Sequence, residues 1–258
     1  MTSRRRGVGL TPMETRRDVI VATAVLADEL GYEIFAVPEG WGLDSTPVLS
    51  EIALRTSRIH LASGVLSVWG RTPATLAMTA ATLQQVCGGR YLLGLGASTK
   101  ALAEGFHDTA FEHPAAKLRD AAAPHARPLT VAAGPITAAA ANADAAREIA
   151  EACTAWYLGA MGGVYARSVS GQGYAAEVQA IIAANPHPSP RGGTIPPSAQ
   201  VVLDQLAVYG TSDQVREQLR PWDRAADIVT ILLPPGMPWP DIEATLLAAA
   251  PIAQPATP

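Results

Sequence analysis

The chain is short of several things, and each shortage removes a class of protein. Only two cysteines, Cys87 and Cys153, occur in 258 residues. They lie far apart in helical patterns, so a disulfide framework is excluded and two reduced core thiols are expected. Three Phe, six Tyr and five Trp stand against an abundance of alanine, which favours helices packed closely on a sheet over an aromatic-rich β-sandwich. No apolar run approaches the ~18 residues of a membrane span. Basic residues are scattered apart from Arg4, Arg5 and Arg6, and the net charge is −4. No stripe exists that could neutralise a row of phosphates, so nucleic acid is not an expected partner. The three arginines lead into Gly7-Val8-Gly9-Leu10-Thr11-Pro12, which is not the apolar segment of an export signal. A cytoplasmic protein is expected.

Whole chemistries are missing too. H-E-x-x-H, paired C-x-x-C and Asp/Asn-rich calcium loops are absent, so no metal site is expected. There is no G-x-S-x-G elbow for a serine nucleophile. Gly94-x-Gly96 lacks the third glycine and the helix start of a dinucleotide fingerprint.

What is present is an alternation of short apolar runs and helical periodicities. Residues 8–10 predict a strand, and residues 14–30 a helix closed by Gly31. Residues 32–37 (YEIFAV) have the composition of a strand covered on both faces. Asp44 is placed to cap the next helix, and residues 59–65 form a third strand. Thr72-Pro73 opens a third helix that Gly88-Gly89 closes, and residues 91–95 (YLLGL) form a fourth strand. Four strand-helix alternations on the order of 30 residues apart are the pattern of linked βαβ units and a parallel sheet.

The rhythm then changes. Residues 100–120 read as a loop with a short amphipathic segment, residues 121–124 as an Ala/Pro-rich link, and residues 129–133 as a strand. Helix is expected over residues 142–161, over 164–184 with a break near Gly171 to Gly173, and over 198–208, with a Pro/Gly-rich loop at 185–197. Thr211 to Gln214 (TSDQ) matches a capping box, residues 228–233 form a last buried strand, and residues 239–249 a closing helix. Six strands are legible where a complete barrel has eight.

Residues 26–42 (LADELGYEIFAVPEGWG), 56–83 (TSRIHLASGVLSVWGRTPATLAMTAATL), 88–99 (GGRYLLGLGAST) and 209–219 (YGTSDQVREQL) resemble the luciferase-like superfamily, particularly its coenzyme F420-dependent branch. The resemblance implies one α/β domain over residues 1–258, a luciferase-like (β/α)8 TIM barrel holding F420 or, alternatively, FMN. In complete relatives two further strand-helix units precede the segment that resembles residues 128–137. Here only residues 121–127 stand in their place. A βαβ unit needs about 30 residues, so an internal deletion near 121–127 is expected, leaving an incomplete barrel with about six parallel strands and an enlarged helical C-terminal half. Strand edges left unpaired by such a gap favour a homodimer.

In a parallel barrel the ligand site forms where strands end. The resemblance makes Gly64, Val65, Leu66, Ser67 and Trp69 after the third strand, and Gly96, Ala97 and Ser98 after the fourth, cofactor contacts. Trp41 joins them from the loop after the second strand. Many deazaflavin-dependent relatives carry an acidic residue followed by His there, and this chain has Glu39-Gly40. Glu39 is one expected catalytic residue. His107 is the other, because an imidazole exchanges its proton in the neutral range. His60 is read as a packed strand residue, and His113, His125 and His187 as solvated loop positions. Three functions stay open: an F420- or FMN-dependent oxidoreductase moving a hydride to or from a small organic substrate, a non-catalytic flavin-binding protein that has lost the phosphate half of the site, and a degenerate interaction protein.

Overall fold

The computed structural model describes residues 4–113 and 130–251. The expected deletion point at 121–127 lies outside the described residues. The chain divides into two compact units, one formed by the described residues before 133 together with Pro251, and the other by Ala133–Ala250.

The first unit runs β1 (Arg6–Leu10), α1 (Arg17–Glu29), β2 (Ile34–Val37), α2 (Ser45–Arg55), β3 (His60–Ser63), β4 (Leu66–Ser67), α3 (Pro73–Val86), β5 (Tyr91–Leu92), β6 (Leu95–Gly96) and α4 (Lys100–Gly105). Its main sheet has the order β5-β3-β2-β1, and each pair is parallel. Helix starts follow the expected chemistry. The Asp44 carboxylate accepts from the Thr46 N–H, and Thr72 caps α3 ahead of Pro73. Gly31, at φ 79°, turns the chain out of α1 in a conformation that costs other residues more.

Alternation sorts the strands into two faces. Phe35, Val37, Leu61 and Ser63 are buried, whereas Ile34, Ala36, His60 and Ala62 are partly exposed. On that second face Gly9, Ala36 and Ala62 fall in register across three strands. Two small, partly exposed alanines therefore stand beside a buried glycine near the strand ends.

Two charged residues fix how β3 enters the sheet. The Asp28 carboxylate accepts from the backbone N–H groups of Ser57 (2.9 Å), Arg58 (3.0 Å) and Ile59 (2.6 Å). Burial pushes its carboxyl up, but the three N–H donors outweigh that and hold it below the ordinary value. The Arg90 guanidinium donates to the carbonyls of Ile59 (2.7 Å), Thr56 (3.0 Å) and Ala53 (3.2 Å).

The second unit holds β7 (Ala132–Ala133, which begins one residue before the unit), β8 (Ile136–Ala139), α5 (Ala143–Gly159), α6 (Gly163–Val169), a π turn (Ser170–Tyr174), α7 (Ala175–Ala184), α8 (Gln200–Leu206), β9 (Ala207–Gly210), α9 (Ser212–Gln218), β10 (Ile228–Leu233) and α10 (Trp239–Ala249). Strands β10, β8 and β9 lie side by side and parallel. Ile136, Cys153, Ile181 and Leu203 share one core there. The capping box is formed in full by Thr211 and Gln214.

Three departures from the sequence reading stand out. The buried strand near residue 130 is Ile136–Ala139, beyond Gly134-Pro135, while Ala132 and Ala133 are exposed. Pro135 lacks an N–H but still serves the sheet, since its carbonyl accepts from Leu232 at 3.0 Å. The helix expected to continue to Val208 ends at Leu206, and residues 207–210 form a strand. Four residues, two of them Ala and Gly, are too few for periodicity to decide between helix and strand. The third and fourth expected strands are each broken in two, at residues 64–65 and 93–94.

Replacing Asp28 by Asn should lower unfolding free energy by ~1–3 kcal/mol, because an amide oxygen accepts the N–H groups less strongly than a carboxylate. A carboxyl held low in the folded state contributes stability that is present at neutral pH and lost on acidification. Urea unfolding should accordingly show the difference between the Asn variant and the parent shrinking below about pH 4.

Candidate functional site

The strand breaks build the rim of the first unit. At Gly94 a side-chain Cβ would lie 2.0 Å from the Ser63 carbonyl oxygen, a separation that only glycine permits. The Ser63 hydroxyl donates to the Gly94 carbonyl (2.9 Å) and accepts from the Gly94 N–H (2.8 Å) and the Tyr91 hydroxyl (3.0 Å). Beyond this crossing the chain pairs again, Leu66 with Leu95 and Ser67 with Gly96. The Val68 N–H donates to the Gly96 carbonyl (3.1 Å), and the Trp69 indole N–H to the Ala97 carbonyl (2.6 Å).

The loop after β2 is tied to the same structure. The Glu39 N–H donates to the Val65 carbonyl at 3.3 Å, and its carboxylate accepts from Arg71 Nη1 at 2.5 Å and from the Ser45 hydroxyl at 3.1 Å. Arg71 also reaches Asp44 at 3.1 Å. The side chains of Arg71 and Glu39 are only 14% and 13% exposed, which makes this the most enclosed ion pair of the rim. Burial works against the Arg71 charge, but the two carboxylates outweigh it and hold the guanidinium protonated. Sequence reading did not single out Arg71. The available signal was two carboxylates after one strand facing a lone arginine after the next.

The expected contact residues separate into two groups. Leu66, Ser67 and Trp69 are buried. Ser67 Oγ accepts from the Trp69 N–H at 3.3 Å, and the Trp69 ring packs on Phe111 at 5.4 Å. They hold the rim together from within. Val65 and Trp41 are exposed, Gly64 and Ser98 are exposed, and Gly96 and Ala97 are partly so. Trp41 meets Phe106 edge to face at 5.3 Å, and Phe106 meets His107 at 5.1 Å. A Cβ at Gly70 would lie 2.7 Å from the His107 ring, so the imidazole rests on the loop that carries Arg71. His107 is thereby brought to the rim. His60 lies at the opposite end of β3.

A Cβ at Gly40 would come within 2.9 Å of Pro12 Cβ. The place where the resemblance expects a histidine is thus one where any side chain displaces the loop after β1.

Residues 1–123 match the model of the luciferase-like monooxygenase family. Over those residues the chain is similar to that family. A Mycobacterium tuberculosis protein named as a coenzyme F420-dependent oxidoreductase is 32% identical over 112 residues, 43% of this chain and 31% of its own. The 4-hydroxyprotoasukamycin monooxygenase of Streptomyces nodosus subsp. asukaensis is 41% identical over 78 residues, 28% of this chain and 21% of its own. The matched stretches therefore span a third or less of these curated relatives. Among solved structures, the coenzyme F420-dependent tetrahydromethanopterin reductase from Methanopyrus kandleri aligns over 96% of this chain and 98% of its own, with a TM-score of 0.68 and 14% identity. The oxygenating constituent of 3,6-diketocamphane monooxygenase from Pseudomonas putida, in complex with FMN, aligns over the same shares with a TM-score of 0.62 and 14% identity. At such identities the likeness speaks for the luciferase-like α/β fold alone. It extends beyond residues 1–123, to the parallel strands β8, β9 and β10. Among the described residues no helix is long and apolar enough to cross a membrane, and no cluster of His, Cys, Asp and Glu is fit for a metal ion.

Arg71→Met strands two carboxylates and should destabilise the protein by ~1–3 kcal/mol, with part of that recovered in the Arg71→Met/Glu39→Gln double variant. Chemical denaturation of the four proteins measures the coupling. Gly40→Ala should cost ~1–3 kcal/mol through overpacking on Pro12, read from the same denaturation curves.

Proposed function

We propose that this chain binds the ring of F420 or FMN on the rim of its first unit and moves a hydride between that ring and a small organic substrate. The row Gly9, Ala36 and Ala62 carries the reading, because a buried glycine and two small, partly exposed alanine side chains in register make a level floor where strands end. A flat ring fits such a floor, and a bound flavin or deazaflavin supplies the hydride acceptor or donor. Val65 and the Trp41–Phe106 pair form apolar walls that exclude water. Glu39, fixed between Arg71 and Ser45, orients the loop after β2 and presents charge to the ring's edge. His107 is the group that handles a proton. A homodimer in a reducing, cytoplasmic setting belongs to the same proposal.

A second reading, a ring-binding protein without turnover, is favoured by one observation. Arg16 and Arg71 stand in the loops after β1 and β4, and each is paired with a carboxylate, Glu14 at 2.6 Å and Glu39 at 2.5 Å. Neither is available to a phosphate without losing that partner. The described rim therefore recognises the ring more than its tail.

Fluorescence titration of the purified protein with F420, FMN and riboflavin tests both readings. We expect FMN and riboflavin to bind within about threefold of each other, a difference under 1 kcal/mol. Binding of none would defeat both readings. Binding without oxidation of any electron donor would leave the second.

A further inference from the structure

Each unit has a strand with a neighbour on one side only. Among the described residues, β5 pairs with β3 alone and β9 with β8 alone. The outer side of such a strand presents unpaired N–H and C=O groups, which is a template for a strand of another chain. Leu92 and Leu93 stand beside that side of β5 at 41% and 40% exposure, so apolar contacts would favour the addition as well.

Strand alternation tells which backbone groups face outward. The Leu61 N–H donates to the Arg90 carbonyl at 3.0 Å, so Arg90 turns toward β3, and Gly89 and Tyr91 turn away from it. Both outward groups are taken by one side chain of α3. The Gln84 amide donates to the Gly89 carbonyl at 2.9 Å and accepts from the Tyr91 N–H at 3.1 Å. Those are the two bonds that one residue of an added parallel strand would make.

The second unit repeats the arrangement with other parts. The Ala140 N–H donates to the Gly210 carbonyl at 3.1 Å, so Gly210 turns toward β8 and Tyr209 away from it. The Gln218 amide, at the end of α9, donates to the Tyr209 carbonyl at 2.8 Å and accepts from the Tyr209 N–H at 3.4 Å. One residue of an added antiparallel strand would make the same pair of bonds. Both glutamines are exposed, where a long side chain ordinarily keeps its rotamer freedom. Each is instead held in one orientation, because a reversed amide would set N–H against N–H and oxygen against oxygen.

We infer that Gln84 and Gln218 close the strand edges of this chain, their amides standing where a strand of a second copy would otherwise add to β5 and β9. The inference goes beyond the ring-binding reading and does not depend on it. The homodimer included in that reading then forms without strand addition.

The test measures mass against concentration by sedimentation velocity, and backbone hydrogen exchange, for the full chain and its Gln84→Met and Gln218→Met variants. Methionine is close to glutamine in length and makes neither bond. Asp28→Asn serves as a control that loses stability with both edges closed. Each methionine variant is expected to gain mass with concentration beyond the parent, while Asp28→Asn follows the parent. At the lowest concentration the Tyr91 or Tyr209 amide of the matching variant should exchange about fivefold to tenfold faster than in the parent. Gln84→Asn and Gln218→Asn, too short to span both groups, repeat the comparison without added apolar surface and carry it should a methionine variant fail to fold. Masses equal to the parent's at every concentration would overturn the inference. An equal gain in Asp28→Asn would overturn it too, by assigning association to lost stability. Unchanged exchange at Tyr91 and Tyr209 would show that the amides do not hold those edges.

Discussion

The close approach of two backbones at Gly94 is the constraint from which the rim of the first unit follows. With the Ser63 carbonyl 2.0 Å from where a Cβ would stand, no other residue fits without moving β3 or β5. The same crossing breaks both strands and lets them pair a second time at Leu66–Leu95 and Ser67–Gly96. A straight pair would have ended at the sheet. The broken pair instead lifts residues 64–72 and 95–99 above the strand ends, where Trp69 ties them together through the Ala97 carbonyl. A single hydroxyl, Ser63, holds the crossing with three hydrogen bonds.

Charge then organises what backbone geometry has raised. Glu39 bonds the loop after β3 with its own N–H and with its carboxylate, and it bonds the first turn of α2 through Ser45. A carboxylate engaged on both oxygens works first as a tie between loops. That distinguishes Glu39 from the free acid or base that its place after a buried strand suggests in the sequence. It also explains why Arg71 belongs to the site although it precedes a helix cap and reads as a surface residue. Its guanidinium closes the gap between the second and third loops and is almost fully enclosed.

Local chemistry was legible in the sequence wherever a signal and its consequence are a few residues apart. Asp44, Thr72-Pro73, Gly31 and the TSDQ box each act within one turn of helix, and each does in the structure what its type and spacing imply. The run 228–233 and the closing helix 239–249 were legible because their apolar patterns are long enough to fix a period. Residues 207–210 offered too short a pattern, and the Gly134-Pro135 pair looked like an end when it was an entrance. The site was legible as a set of strand ends and no further. Whether Leu66 and Trp69 point inward or outward depends on the second pairing at β4 and β6, and that depends on Gly94. The Glu39–Arg71 contact joins residues 32 apart in sequence, and nothing local announces it.

The features on which the ring-binding proposal rests all come from four adjacent parallel strands and their loops. The floor needs only the register of β1, β2 and β3, the walls need only Val65, Trp41 and Phe106, and the loops are bonded to one another. A ring is recognised by shape and by a few edge contacts, which a local surface can supply by itself. A phosphate is recognised differently, by cations and N–H groups that must be free to turn toward it. In this rim Arg16 and Arg71 are already committed to carboxylates. The two halves of a nucleotide-like ligand thus make separable demands on a protein, and the ring-binding proposal draws only on parts that do not depend on how the second demand is met.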